Sequence, residues 1–544
     1  MDLITDFITE NLLTILILLP VFGAVATLGH QMFWKQESHL KWVTLGFTLV
    51  NFLASLLLLA NKGTVSASGF SFEQNVPWIR AINTNYHVGV DGLSLWLVIL
   101  TTFIMPIAVI SSWNAVAKRP AAFYIFILLL ESAMLGVFVS LDLLVFYLFF
   151  EASLVPMFFL IGIWGGENRI YAAVKFFIFT ALGSLLMLAA IIGLYYLHAD
   201  ATGVGSFDYV TLLNSVRLGN LTFAASTGTF LFLAFALAFA IKVPLFPFHT
   251  WLPDAHTEAP TAGSVILAAV LLKMGTYGLM RFCFTLFPDA SREFAPFFIV
   301  LAIIGIIYGA LVAMVQPDVK RLVAYSSVAH MGFVILGMFS FTEMGMQGAV
   351  FQMLAHGVST GALFLLVGFI YERRHTRAIS EFGGLANVMP IYATIFVITA
   401  MSSVGLPFLN GFVGEFLIMV GMWQSQALAV TETANWNYIA TMAAGTGVIF
   451  AAVYLLWMMQ RVLFGKVSNP KNKNLADLSY REIGLMVPLL ILMVFMGVYP
   501  KPFLDATRES VISIQKGVMH QAGGTIAQDA KDSEHTAEKV VPHN

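Results

Sequence analysis

Fourteen runs of roughly twenty apolar residues recur along this chain, at 11–30, 40–61, 91–113, 121–139, 141–164, 172–197, 228–249, 260–285, 295–315, 322–340, 347–371, 389–421, 437–464 and 482–500. Each is long enough to cross the ~30 Å hydrocarbon core of a bilayer as a helix. Lipid offers no hydrogen-bond partner to an open backbone, so only helices and closed barrels span it. The runs are continuous, not alternating ten-residue segments, which excludes a β-barrel. The expected fold is all-α: a polytopic membrane protein of about 14 transmembrane helices. Composition agrees. Only 11% of the 544 residues are charged and 59% are hydrophobic, against about 25% charged in a soluble protein.

Lysine and arginine in the short loops orient the runs. Fifteen lie on the side reached after runs 1, 3, 5, 9, 11 and 13, from Lys35 and Lys41 to Lys473 and Arg481. The other side offers five: Lys62, Arg80, Arg217, Arg281 and Arg292. The basic side faces the cytoplasm, so both termini are expected outside, on the periplasmic side of a bacterial inner membrane. Asp2, Asp6 and Glu10 precede the first run with no basic residue, so that run reads as a retained helix, not a signal peptide. The stretch from Ala522 to Asn544 is polar and reads as a solvated tail.

A net charge of −2 offers no basic face for nucleic acid. Cys283, the single cysteine, cannot form an internal disulfide or hold an iron–sulfur cluster. Electron chemistry is therefore expected elsewhere, with no cofactor in this chain. No histidine pair has metal-site spacing, so no metal is expected.

The informative residues are charges inside the apolar runs, each costing about 2.5–3.5 kcal/mol at mid-membrane. Glu151 lies in the fifth run, Lys242 in the seventh, Lys273 in the eighth and Glu415 in the twelfth. Two acids and two bases suggest pairing inside the bundle. They read as transport residues, or as structural ion pairs. Glu131, in the fourth run, is a further candidate. Lys175 is close enough to a helix end to snorkel. His330 and His356 suit proton relay because imidazole titrates near neutrality, although a lone histidine is equally a hydrogen-bonded core residue.

Proline breaks flank two of these charges. Pro244 and Pro247 follow Lys242, and Gly405-Leu-Pro407 precedes Glu415. Proline removes a backbone donor and interrupts a helix, and a broken helix at membrane depth makes a local ion site. The breaks lie five runs apart. Five is odd, so equivalent helices run in opposite directions, an inverted repeat of helices 4–8 on helices 9–13. The expected division is 1–120 (helices 1–3), 121–285 and 286–465 (the two repeats), 466–510 (helix 14) and 511–544 (polar tail).

From residue 1 to 510 the chain resembles the antiporter-like membrane subunits of proton-pumping NADH:quinone oxidoreductase, respiratory complex I. The densest match runs from Lys242-Val-Pro-Leu-Phe-Pro-Phe-His to Ala259-Pro-Thr261. Others are Asp91-Gly-Leu-Ser94, Glu151, Asp318-Val-Lys-Arg to His330, and Gly411-Phe-Val-Gly-Glu415. Of three paralogous subunits, two carry lysine where this sequence has Glu415, and the longest adds a lateral helix for which nothing after Pro500 has the size. The resemblance implies proton translocation through Glu151, Lys242, Lys273, His330 and Glu415, with His356 and Glu131 as lesser members. Withdrawal of Glu151 from Lys242 would leave a desolvated ammonium that gives up its proton. It further implies paralogous subunits on either side, lipid around them, and NADH, flavin, iron–sulfur clusters and quinone in partner subunits. Two rival readings are a subunit of a multisubunit sodium/proton antiporter and a non-pumping membrane scaffold; four retained charges argue against the scaffold.

Overall fold

The computed structural model describes residues 9–33, 37–60, 66, 68–428 and 436–519. Asp2, Asp6, Lys35, Lys62 and the tail from Ala522 lie outside the described residues. Thirteen described helices are long and apolar enough to cross a membrane. In chain order the crossings are α1 (Leu12–Phe33), α2 (Glu37–Ala60), α3 (Gly92–Ser111), α4 (Pro120–Val139), α5 (Leu143–Trp164), α6 (Arg169–Thr202), α7 (Ala225–Lys242), α8 (Thr261–Leu286), α9 (Ala295–Met314), α10 (Val319–Phe339) and α11 (Glu343–Arg374). After these come α12, in two pieces (Pro390–Val404 and Asn410–Trp423), α13 (Trp436–Val462) and α14 (Tyr480–Val498). Each falls on one of the apolar runs, and the chain is a multi-pass membrane protein.

Helix starts are written into the sequence as aspartates. Asp142 accepts from the Leu144 and Val145 amides at 2.9 and 3.1 Å, and Asp318 accepts from Lys320 and Arg321. Such caps satisfy orphan donors at the first turn. The two interrupted crossings end where the residues require it. Pro244 and Pro247 supply no amide donor after Lys242, and Gly405 closes the first half of α12 at φ +86°, open to glycine without strain.

Helices α8, α10 and α11 form the centre and are almost entirely buried. Small residues let them approach. A side chain on Gly275 of α8 would meet the Phe239 carbonyl of α7 at 2.7 Å, so only glycine permits this contact. In lipid, close packing of this kind replaces the hydrophobic effect as the force between helices.

The apolar runs gave no sign of three elements outside the fourteen crossings. A hairpin pairs β1 (Ser71–Ile79) with β2 (Thr84–Val90), antiparallel. A short amphipathic helix, Tyr209–Arg217, follows α6. Helix α15 (Lys501–Met519) follows α14 and buries Phe503, Val511, Ile514 and Val518 against the bundle, so the boundary expected at 511 falls inside a helix. All three join the side that the charge count makes the outer one.

Candidate functional site

Lys242 sits at the break of α7, 1% exposed. The break is stabilised locally. Leu245 donates to the Ala240 carbonyl at 2.8 Å, and the Trp251 indole N–H donates to the Ile241 carbonyl at 2.8 Å. Among the described residues Nζ of Lys242 has no hydrogen-bond acceptor. It lies instead over the Phe150 ring at 4.8 Å and the Phe176 ring at 5.8 Å, contacts that attract a cation through the ring faces. Glu151 on α5 interacts with it electrostatically, but the two are not in contact. The expected ion pair is therefore separated, with the Phe150 ring beside the ammonium.

On the next helix, α8 opens into a wider π turn at Leu267–Leu271, a distortion frequent at functional sites. Lys273, fully buried, donates to the Ala268 carbonyl of that turn. Its Nζ also lies 2.7 Å from Nδ1 of His356 on α11. The His356 and His330 rings are 5.8 Å apart between centroids. Nδ1 of His330, on α10, is 2.9 Å from Oε1 of Glu415, just beyond the α12 break. Gln352 donates to the same oxygen at 3.2 Å, and Ser403 lies 3.3 Å from Nε2 of His330.

Lys273, His356, His330 and Glu415 thus form one buried row across four helices. The acids and lysines do not pair with each other as their signs suggested. Histidines stand between Lys273 and Glu415, because α11 packs on both α8 and the second half of α12, and α10 packs on α11 and α12. His356, a lesser member by sequence, is the link from Lys273 to His330. An ammonium that donates to Nδ1 puts the proton of neutral His356 on Nε2, which has no partner among the described residues.

Glu131 stands apart. It accepts from Asn51 of α2 at 2.7 Å and joins none of these groups. Two basic residues also sit differently than expected. Lys175 does not snorkel to water but pairs with Asp254 at 2.7 Å, and Arg321 reaches the same carboxylate at 3.7 Å. Arg281 is no loop residue. It is 3% exposed inside α8 and ion-paired with Asp91, the cap of α3. Two buried groups were not among the candidate residues. His256 stacks on Phe364 with centroids 4.5 Å apart and neither ring nitrogen bonded, and Lys320 donates to the Ala259 carbonyl. Both lie inside the quoted motifs, and the apolar-run test passes over them because they flank the runs.

A family described as NADH:quinone oxidoreductase/Mrp antiporter, TM, matches residues 140–435, and one described as NADH-ubiquinone oxidoreductase chain 4, amino terminus, matches residues 12–139. The chain belongs to this family. Among relatives of the oxidoreductase family, NADH-quinone oxidoreductase subunit M of Rhodobacter capsulatus is 45% identical over 95% of this chain and 99% of its own length. NADH-ubiquinone oxidoreductase chain 4 of Arabidopsis thaliana is 42% identical, over 93% and 97%. A chain of respiratory complex I from Thermus thermophilus with bound NADH superposes with a TM-score of 0.81 at 31% identity, covering 93% of this chain and 100% of that one. The Mrp complex from Dietzia shares the fold alone, with a TM-score of 0.76 at 22% identity, covering 97% of this chain and 59% of that one.

Proposed function

We propose that this chain is the M-type membrane subunit of a proton-translocating NADH:quinone oxidoreductase. Protons pass through Glu151, Lys242, Lys273, His356, His330 and Glu415. The observation that carries the reading is the buried row from Lys273 to Glu415, four ionisable groups on four helices with hydrogen bonds at both ends.

Its chemistry follows from that geometry. Lys242 is an ammonium with no hydrogen-bonded anion, so its charge is sensitive to the position of Glu151. Two unit charges 4 Å apart at an effective dielectric of about 20 interact by ~4 kcal/mol. Moving one proton against 100 mV takes about 2.3 kcal/mol, so shifting Glu151 is a sufficient lever. A proton released from Lys242 passes on to Lys273 of the adjoining helix α8. The Lys273 ammonium hands a proton to His356 Nδ1, and the imidazolium releases its Nε2 proton toward His330. His330 in turn delivers a proton to the Glu415 carboxylate.

The driving electron transfer belongs to partner subunits that hold flavin, iron–sulfur clusters and quinone, and no cofactor binds this chain. The crossings from α4 to α8 and from α9 to α13 act as inverted repeats, each with one broken helix. The protein lies in a bacterial inner membrane with both termini on the periplasmic side, between paralogous subunits. One surface supports a neighbour. At the α12 break Leu406, Pro407 and Phe408 are exposed, Phe408 by 74%, and irregular backbone at membrane depth is tolerated only against protein or a wet cavity.

The test is NADH-driven proton uptake by inverted membrane vesicles carrying Lys242→Ala or Glu151→Gln. Assembled complex with abolished or strongly reduced uptake is the expected result. Full uptake at normal assembly overturns the assignment.

A further inference from the structure

Glu131 is fully buried midway along α4, and among the described residues it has no ion pair; Lys41, His87 and Lys273, on elements packed against α4, do not reach it, and Arg281 is paired with Asp91. Its Oε1 accepts from Nδ2 of Asn51 on α2 at 2.7 Å. Among the described residues two atoms of this pair have no partner: Oε2 of Glu131 and Oδ1 of Asn51. With Glu131 ionised both are acceptors, and nothing between them can donate. A buried carboxylate with no cation and an unsatisfied oxygen is among the most unfavourable arrangements in a protein interior.

One proton resolves both defects. Placed on Oε2, it makes Glu131 a carboxylic acid whose O–H donates to Asn51 Oδ1, while Asn51 Nδ2–H continues to donate to Oε1. Each side chain then gives one hydrogen bond and takes one, and no charge remains. We propose that Glu131 and Asn51 form a closed acid–amide pair that holds one proton through turnover and ties α2 to α4, apart from the transport path.

The surroundings keep that proton in place. Asn51 shares a buried face of α2 with Thr44, Thr48 and Ser55. Those hydroxyls spend their protons on their own helix, Thr44 on the Leu40 carbonyl at 3.0 Å and Thr48 on the Leu45 carbonyl at 3.1 Å. Ser55 donates to the Phe52 carbonyl at 2.7 Å and lies 2.7 Å from the Thr102 hydroxyl. Among the described residues none of them bonds to Glu131, so these hydroxyls offer its proton no way out.

The proposal stands or falls independently of the transport reading, and the assembled complex tests it in two ways. Difference infrared spectroscopy of wild type against Glu131→Gln should show a protonated-carboxyl carbonyl band that the variant lacks. That band should persist across the pH range in which the complex is active, and Asn51→Leu should shift it by removing the amide. Glutamine makes the same two hydrogen bonds without a titratable proton, so Glu131→Gln should assemble and pump as wild type does, while Glu131→Ala should lose assembled complex. Absence of the carbonyl band overturns the proposal by showing an ionised Glu131. Loss of pumping in an assembled Glu131→Gln complex overturns it too, because the proton then exchanges in turnover. Lys242→Ala serves as the transport control; its result bears on the proposed function alone.

Discussion

His356 shows how much one side chain decides. It accepts from Lys273 at 2.7 Å, and among the described residues no other side chain is hydrogen-bonded to the Lys273 ammonium. His356→Ala should assemble, because the Lys273 ammonium keeps the Ala268 carbonyl, yet NADH-driven proton uptake should fall at least about tenfold, the effect of ~1.4 kcal/mol on a barrier. Uptake in inverted vesicles measures this; His356→Gln, which keeps a hydrogen bond but not the titration, should be equally deficient. Asp91 makes the opposite case, a buried charge with a structural task. Asp91→Ala leaves Arg281 buried without its anion, at a cost of about 3–5 kcal/mol, and removes the cap of α3. Loss of assembled subunit, read on native gels, is the expected outcome, whereas Arg281→Met with Asp91→Ala should recover part of it.

Among the elements, the hairpin carries its own titration. His87 of β2 lies between Glu73 at 2.7 Å and Asp208. Burial by itself would lower the imidazole pKa, but the hydrogen bonds and charges of Asp208 and then Glu73 outweigh it and raise it above the ordinary value. Burial would raise both carboxylates, and hydrogen bonds from Ser66, Ser68 and His87 to Glu73, and from His87 and Thr211 to Asp208, lower them instead. The raised histidine stabilises the fold fully below its ordinary value and loses this as pH rises through its folded value. The lowered acids stabilise above their ordinary range and lose this as pH falls through their folded values. The contribution is therefore greatest at about pH 4.5–6.5. Thermal melts of the purified complex against pH should show it, and His87→Gln should flatten the alkaline side of the profile.

Across the whole molecule, α15 ties distant parts of the chain. Ser510 accepts from the Gly92 amide at 3.0 Å, Arg508 pairs with Glu343 at 2.8 Å, and Gln515 donates to the Phe341 carbonyl at 3.0 Å. These join the start of α3 to the loop between α10 and α11. Contact at Gly92 is so close that an added Cβ would lie 2.1 Å from the Ala506 carbonyl. Gly92→Ala should therefore lift α15 from the bundle at a cost of ~1–3 kcal/mol, seen as faster proteolysis at α15 in intact membranes.

The apolar runs and proline breaks were legible in the sequence, and so were Glu151, Lys242, Lys273 and Glu415, because lipid penalises every exception to apolarity. The hairpin and α15 were not, since neither is an apolar run: β1 shows no simple alternation of buried and exposed residues, and α15 is amphipathic. Arg281 falls near the end of the apolar run 260–285, where a charge reads as reaching the outer surface; α8 instead buries it against Asp91. The sequence by itself determined that this protein is a bundle of about fourteen apolar crossings, where two of them break, and which runs hold Glu151, Lys242, Lys273 and Glu415. Only the tertiary structure decided which charge meets which: Lys273 with His356, Glu415 with His330, Glu131 with Asn51. Hydropathy along a chain reports depth in the bilayer. The direction each helix faces is set by packing between small residues, which the apolar pattern does not record.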